Sequence, residues 1–280
     1  LSATAAFPPD TQKLLIEKRL LMPTLQSIFR RSNTVVQTPE DYFTGKAHPP
    51  VFDGAQIDEE KMVRIAHDMT PAKIPPLVLL HVIEETKIEP GKNFFEIANP
   101  HPWKLSDTPV SISRILRGNE AEHGMLIGFD KTVNLVKAPL QMRAAVLQGD
   151  PRFVHIESEP GGDVMRLRIR WEPPVITSTG IRSHRIDIGI FADNGSSISA
   201  PAIISFYMLP NEMHFYDEKG RVSEIHYQTH NPDFGLPVTE TDPRWVKILL
   251  AFSMKDTNLR SRLLDQILTP EERSGLQIGR

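Results

Sequence analysis

Polar and apolar residues alternate along much of the chain from Val110 onward, whereas both ends carry apolar residues at helical spacing. The clearest alternation places Met165, Leu167, Ile169 and Trp171 on one side of a strand and Arg166, Arg168 and Arg170 on the other. Ile186, Ile188 and Ile190 recur with the same period of two, which puts them on one strand face. Asp193-Asn194-Gly195 follows, and because Asn and Gly accept a positive φ it predicts a chain reversal. The apolar run from Ala202 to Leu209 is the returning arm of that hairpin. Further strands are predicted over Met125–Phe129, Leu140–Leu147 and Arg152–Ile156, separated by the turn-forming Gly149-Asp150-Pro151 and Pro160-Gly161-Gly162-Asp163. Glu212 to Tyr227 reads as another hairpin turning over Asp217 to Gly220. With those two turn residues paired, Tyr216 faces Arg221, His214 faces Ser223, and His226 points to the opposite face.

Before Val110 the pattern differs. Pro9-Asp10-Thr11 opens a predicted helix carrying Leu14, Leu15, Leu20 and Leu21. Pro23-Thr24 breaks it and starts a shorter one through Leu25, Ile28 and Phe29, ending at Arg30-Arg31, where cations suit a C-terminus. Val35 to Gly54 has loop composition, with Tyr42, Phe43 and Phe52 as anchors. Asp58 caps a short helix with Met62, Ile65, Ala66 and Met69 as its buried stripe. Leu77 to Val82 is apolar throughout and suits a strand buried on both faces. Lys87 to Pro109, rich in Pro, Asn and Gly, suits a surface wrap. At the far end Asp242-Pro243 starts a helix, Leu259, Leu263, Leu264 and Ile267 keep helical spacing, and Thr269-Pro270-Glu271-Glu272 has capping-box form. The fold class expected is mainly β, a β-sandwich with helical N- and C-terminal extensions. Its regions are 1–109 (helical and irregular, with one buried strand), 110–230 (sandwich with a C-terminal hairpin) and 231–280 (linker and helices).

The 24 prolines favour many short strands with defined turns. A chain of 280 residues buries roughly three-quarters of its unfolded surface, so its core needs no covalent staple. Cysteine is absent, which removes disulfides, thiolate nucleophiles and thiolate metal sites together. With 32 basic and 35 acidic residues the net charge is −3, which supplies no global field for nucleic acid or anionic lipid. No apolar run approaches the ~20 residues of a transmembrane helix. The first residue is Leu1, so a signal peptide or a further domain before it is expected to have been removed.

The pattern Ile186-x-Ile188-x-Ile190-x-x-Asp193-Asn194-Gly195-Ser196-Ser197, continued to Phe206, resembles the late strands of bacterial PKD-like and cadherin-like modules of secreted or surface proteins. In such modules Val146-Leu147-Gln148-Gly149-Asp150-Pro151 would stand where an aromatic strand meets a Gly-Asp-Gly turn; the aromatic and the second glycine are missing here. The resemblance covers Val110 to Leu209. It implies an immunoglobulin-like sandwich, an extracytoplasmic location and an adhesive, assembly or accessory role, and it supplies no catalytic residues.

Candidate chemistry is sparse. Arg166, Arg168 and Arg170 form a cationic stripe suited to an acidic glycan or an acidic protein surface, or to carboxylates on the neighbouring strand. The apolar faces containing Leu14, Leu20, Leu21 and Leu263 suit docking to a protein partner or a larger complex. Asp163, Asp187 and Asp193 offer oxygen ligands for Ca²⁺ if one end of the sandwich gathers them, although no EF-hand spacing or acidic repeat accompanies them. His226 and His230 are four apart, but Pro232 and the strand-like Ile225-His226-Tyr227 argue against the helix a metal pair needs. Ser196, Ser197, His184 and Asp187 supply triad residue types without a nucleophile elbow. Asp58-Glu59-Glu60 suits a helix N-terminus and Glu84-Glu85 a strand end, and Trp103, Trp171 and Trp245 are too dispersed to define a sugar platform. The function expected is non-catalytic: contact within an exported assembly, with carbohydrate binding through the arginine stripe as the alternative.

Overall fold

The computed structural model describes residues 2–49, 52–87, 103–116, 118, 120–173, 175–176, 182–209, 212–227 and 257–268. It is mainly β and divides into two compact units, Leu1–Met208 and Leu209–Arg280.

Four helices open the first unit: α1 (Ser2–Ala6), α2 (Pro9–Glu17), α3 (Leu21–Arg31) and α4 (Glu59–His67). The break between α2 and α3 falls at Arg19, whose φ is +58°, and not at Pro23. Pro23 lies in the first turn of α3, where its missing N–H has no helical partner to lose. Leu15, Leu20, Ile28, Ala66 and Met69 form the core of this helical layer, with Leu14, Leu21, Met62 and Ile65 packed against it. Leu20 is only 1% exposed. Leu20 therefore lies in the protein's own interior, and Leu14 and Leu21 are half-buried against the same core, because two short helices and α4 pack against one another. Asp58 caps α4 as expected, accepting from the Lys61 N–H at 2.8 Å.

Two sheets follow. The four-stranded sheet has the order β1 (His81–Glu85), β4 (Glu122–Gly128), β7 (Val164–Arg170), β6 (Val154–Ser158), all antiparallel. The five-stranded sheet has the order β2 (Lys104–Thr108), β3 (Ser111–Ile115), β11 (Ala202–Tyr207), β10 (Arg185–Asp193), β5 (Gln141–Gln148), and its β3–β11 pair is parallel. A short β8–β9 ribbon (Val175–Ile176, Arg182–Ser183) lies between β7 and β10 in sequence. The inward residues are those of the period-two pattern: Met165, Leu167 and Ile169 on β7, Ile186, Ile188 and Ile190 on β10. The His123 ring on β4 lies 5.6 Å from that of Phe206 on β11, across the two sheets.

Strands β1 and β2 come from the region before residue 110, yet each forms the edge of one sheet. The apolar run before β1 forms no strand of its own: Leu77 bridges Val133, and the Leu80 N–H donates to the Pro109 carbonyl at 2.7 Å. The stretch expected to wrap the surface contributes β2 over Lys104–Thr108, paired to β3.

The outer face of the five-stranded sheet is covered at one end by the segment after α3. Tyr42, Phe43 and Ala47 pack on Leu147 and Phe191, and Tyr42 donates its hydroxyl to the Ser199 carbonyl at 2.9 Å. A Cβ at Gly45 would sit 2.7 Å from the Leu147 carbonyl oxygen, so only glycine permits this approach. The β10–β11 turn is anchored in turn: Gly195 takes φ +80°, and the buried Asn194 amide donates to the Ile74 carbonyl at 3.2 Å.

In the second unit β12 (Glu212–Tyr216) pairs with β13 (Val222–Tyr227), and α5 spans Thr257–Ile267. Tyr216 faces Val222 and His214 faces Ile225, a register different from the expected one. Asp217 causes the shift: its N–H donates to the Arg221 carbonyl, while its Oδ1 accepts from the Lys219 and Arg221 N–H groups, closing a wider loop. His214 and His226 fall on opposite faces, as expected. The Asp242-Pro243 and Thr269–Glu272 helix starts, His230, Trp245 and the Leu263 side chain lie outside the described residues.

Arg114 on β3 ties the two sheets. It is fully buried, and its Nε and Nη2 donate to both Glu85 carboxylate oxygens on β1 at 2.8 and 3.4 Å. Nη2 also donates to Asp107 and Nη1 to the Ser106 and Ser113 carbonyls, while the Trp103 ring lies 5.3 Å from the guanidinium. Replacing Arg114 by Leu removes the buried partner of Glu85 and leaves only the half-exposed Lys104, 2.8 Å from Glu85 Oε1, to compensate it, and a loss of about 3 kcal/mol is expected in urea unfolding. The Arg114→Leu/Glu85→Leu double variant should recover part of it; a single-variant loss below about 1 kcal/mol would mean that the pair does not hold the sheets together.

Candidate functional site

Along the outer face of the five-stranded sheet, polar residues occupy the positions that alternate with the buried isoleucines. Strand register aligns them: Ser113 faces Ser205, Ser205 faces Asp187, and Asp187 faces Gln148, a polar row crossing β3, β11, β10 and β5. One step along lie Ser111 and Ile203, and on the other side Tyr207 and Arg185. The segment from α3 to His48 covers this face incompletely. The uncovered part is a cleft of about 390 Å³ floored by the β3, β11 and β10 members of this set, Ser111, Ser113, Ser205, Tyr207, Arg185 and Asp187, and lined also by Gln26, Arg30 and His48. That volume lies within the range of small-ligand sites.

The floor is held rigidly. Ser205 Oγ donates to Asp187 Oδ1 at 2.7 Å, and Arg185 Nη2 pairs with Asp187 Oδ2 at 2.7 Å. Arg185 also reaches the Tyr207 hydroxyl and the Gln148 amide oxygen, both at 3.4 Å, and the Gln148 amide nitrogen donates to Ser183 Oγ. Burial pushes the Asp187 carboxyl above its ordinary range, against the opposing hydrogen bond from Ser205 and the charge of Arg185. On the wall, His48 Nε2 lies 2.8 Å from the Tyr42 carbonyl, so that nitrogen carries the proton and donates. Burial, reinforced by the Arg30 charge, lowers its pKa to about 4, leaving the imidazole neutral at pH 7. Arg30 donates Nη1 to the Ala47 carbonyl at 3.3 Å and stacks on Phe52, 4.9 Å from its centroid. The cleft therefore offers hydroxyls, amides and guanidinium N–H groups on a fixed frame. Its one carboxylate is already engaged by two donors.

The residues singled out in the sequence do not converge here. Arg166 and Arg168 pair with Glu159 and Glu157 of the β6 side at 2.9 and 3.1 Å, and Arg170 faces Glu122 on β4. The stripe is thus largely neutralised by its neighbours. Asp187 and Asp193 stand six residues apart on one strand, about 20 Å; Asp163 belongs to the turn before β7 in the other sheet. The three do not gather around a Ca²⁺ ion, and no cluster of three acidic or histidine ligands occurs among the described residues. Ser197 donates to the Lys73 carbonyl at the turn end of β10, remote from Asp187. Trp171 is core, and Trp103 covers Arg114. Glu85 is the partner of Arg114, and of these carboxylates only Asp187 lies in the cleft.

Ser111, Ser113, Ser205, Tyr207, Arg30 and His48 were not singled out from sequence. Their signal is present: Ser111-x-Ser113 and Ile203-x-Ser205-x-Tyr207 are polar-face alternations. What makes them a site is the parallel pairing of β3 with β11, which joins segments about ninety residues apart.

Comparison with protein-family models, characterised proteins and solved structures finds no match for the chain. No helix among the described residues is long and apolar enough to cross a membrane.

A second perturbed group lies where β5 turns away from the five-stranded sheet. Glu172, 2% exposed, accepts from the Asp150 N–H at 3.0 Å, and burial raises its pKa to about 7. Its neutral form is favoured in the folded state, so its stabilising contribution is complete below about pH 4.5 and is lost as pH rises through 7. Glu172→Gln removes that dependence. Between pH 5 and 8 the variant should gain on the order of 2 kcal/mol relative to the parent protein in chemical unfolding. A constant difference across that range would count against the assignment.

Proposed function

We propose that the chain is a non-catalytic, carbohydrate-binding module of an exported bacterial protein, built on a PKD-like, immunoglobulin-like sandwich and serving within a larger envelope assembly. The observation that carries this reading is the row of registered serines, with Tyr207 and Arg185, at the base of an open cleft. Sugars present many hydroxyls in fixed directions, and rigid sheets carrying short hydroxyl side chains offer matching donors and acceptors without ordering long chains. A non-catalytic role is supported by the state of the titratable groups: Asp187 is held by Arg185 and Ser205, and His48 donates to a backbone carbonyl. Neither is poised to exchange a proton with a ligand. An extracytoplasmic setting is supported by the late-strand resemblance.

The cleft replaces the arginine stripe as the contact surface, since Arg166 and Arg168 already have carboxylate partners. Affinity electrophoresis against a panel of soluble bacterial and plant polysaccharides separates the two surfaces. Ser111→Phe, which fills the cleft, should abolish retardation of the protein, whereas Arg166→Ala/Arg168→Ala should leave it unchanged. The reverse pattern moves the site to β7.

A further inference from the structure

The charges lining the cleft are unequal, and the inequality bears on its ligand. Arg185 is matched by Asp187 at 2.7 Å. Arg30 makes one hydrogen bond to a backbone carbonyl and one ring stack, and it forms no ion pair with a carboxylate among the described residues. Arg31 beside it bonds Ser27 Oγ at 3.3 Å and the Ile198 carbonyl at 3.0 Å, and lies over the Tyr42 ring, likewise without an acidic partner among those residues. His48 on the same wall is neutral and supplies no counter-charge. A guanidinium partly withdrawn from water, without a counterion and facing an open cleft, is stabilised by any anion that enters. Its planar fork fits a carboxylate with two parallel N–H···O bonds, and one uncompensated cation at the wall matches one negative charge. The serine row and Tyr207 face the same space and suit neutral hydroxyls.

We propose that the ligand of the cleft is an acidic saccharide of the uronate type, its carboxylate seated on Arg30 and its hydroxyls on Ser111, Ser113 and Tyr207. The proposal rests on the carbohydrate reading above and adds the charge to it. Arg30 becomes the residue that selects carboxylated over neutral sugars, and the serine floor supplies affinity common to both.

Isothermal titration of the full chain with digalacturonate, with its dimethyl ester and with a sulfated galactose disaccharide tests it. Digalacturonate should bind at least about tenfold more tightly than the ester, the scale of one charge-assisted contact, and its affinity should fall as NaCl is raised. Arg30→Gln should erase that preference, so that digalacturonate and its ester bind the variant alike. Arg30→Lys, which keeps the charge without the fork, should retain part of it; this variant also guards against loss of folding in the first. Equal binding of digalacturonate and its ester, or a preference untouched by Arg30→Gln, overturns the assignment and leaves the carbohydrate reading standing. Preferential binding of the sulfated sugar overturns the carboxylate. Binding of none of the three overturns both.

Discussion

Burial of β10 on both faces is the constraint on which the rest of the first unit depends. Its inward isoleucines meet the four-stranded sheet's side of the core, while Phe191 on the other face lies under Tyr42, Phe43 and His48. A strand covered on both sides cannot slip by one residue, because a slip would exchange Ile188 with Asp187 and place a carboxylate in the apolar core. Fixed register on β10 fixes β11 and β5 beside it, and through β11 the parallel partner β3. The cleft follows from incomplete coverage. The segment from Tyr42 to His48 reaches over Phe191 and Leu147 but leaves the end of the face carrying Asp187, Ser205 and Ser113 open.

Buried charge is distributed in two ways. At Arg114, five N–H directions meet carboxylates and carbonyls, so a fully buried guanidinium sits in a compensated shell and joins the two sheets. Arg30 is half-buried on the cleft wall, with a single carbonyl acceptor and the Phe52 ring beside it. The surroundings of Arg30 differ from those of Arg114 in this respect above all. The paired arginines of β7 belong with Arg114: their charges are matched within the sheet.

Much of the β architecture was legible in the residues, and the helical layer partly so. The alternation in Met165–Trp171 and Ile186–Ile190, and the Asp193-Asn194-Gly195 reversal, correspond to β7, β10 and its turn. Asp58 could be read as a cap because capping is a local contact of three residues. The break at Arg19 escaped notice because its left-handed backbone has no glycine to advertise it, whereas Pro23 advertised a break it does not make. The hairpin register of β12–β13 escaped for a related reason: three hydrogen bonds to one aspartate decided the loop width. The leucine stripe of α2 and α3 does not by itself say what covers it, because an amphipathic stripe looks the same whether its cover is another protein or the next helix of its own chain.

By itself, then, the order of residues determined which positions face inward, where the chain turns in the β region, and that no thiol chemistry operates, since these follow from periodicity, backbone preference and composition. Tertiary structure decided which strands adjoin, which arginines have partners, and that serines about ninety residues apart share one floor. Those outcomes depend on non-local pairing, and a strand's own sequence carries little information about the neighbour it will accept when several strands share the same alternation.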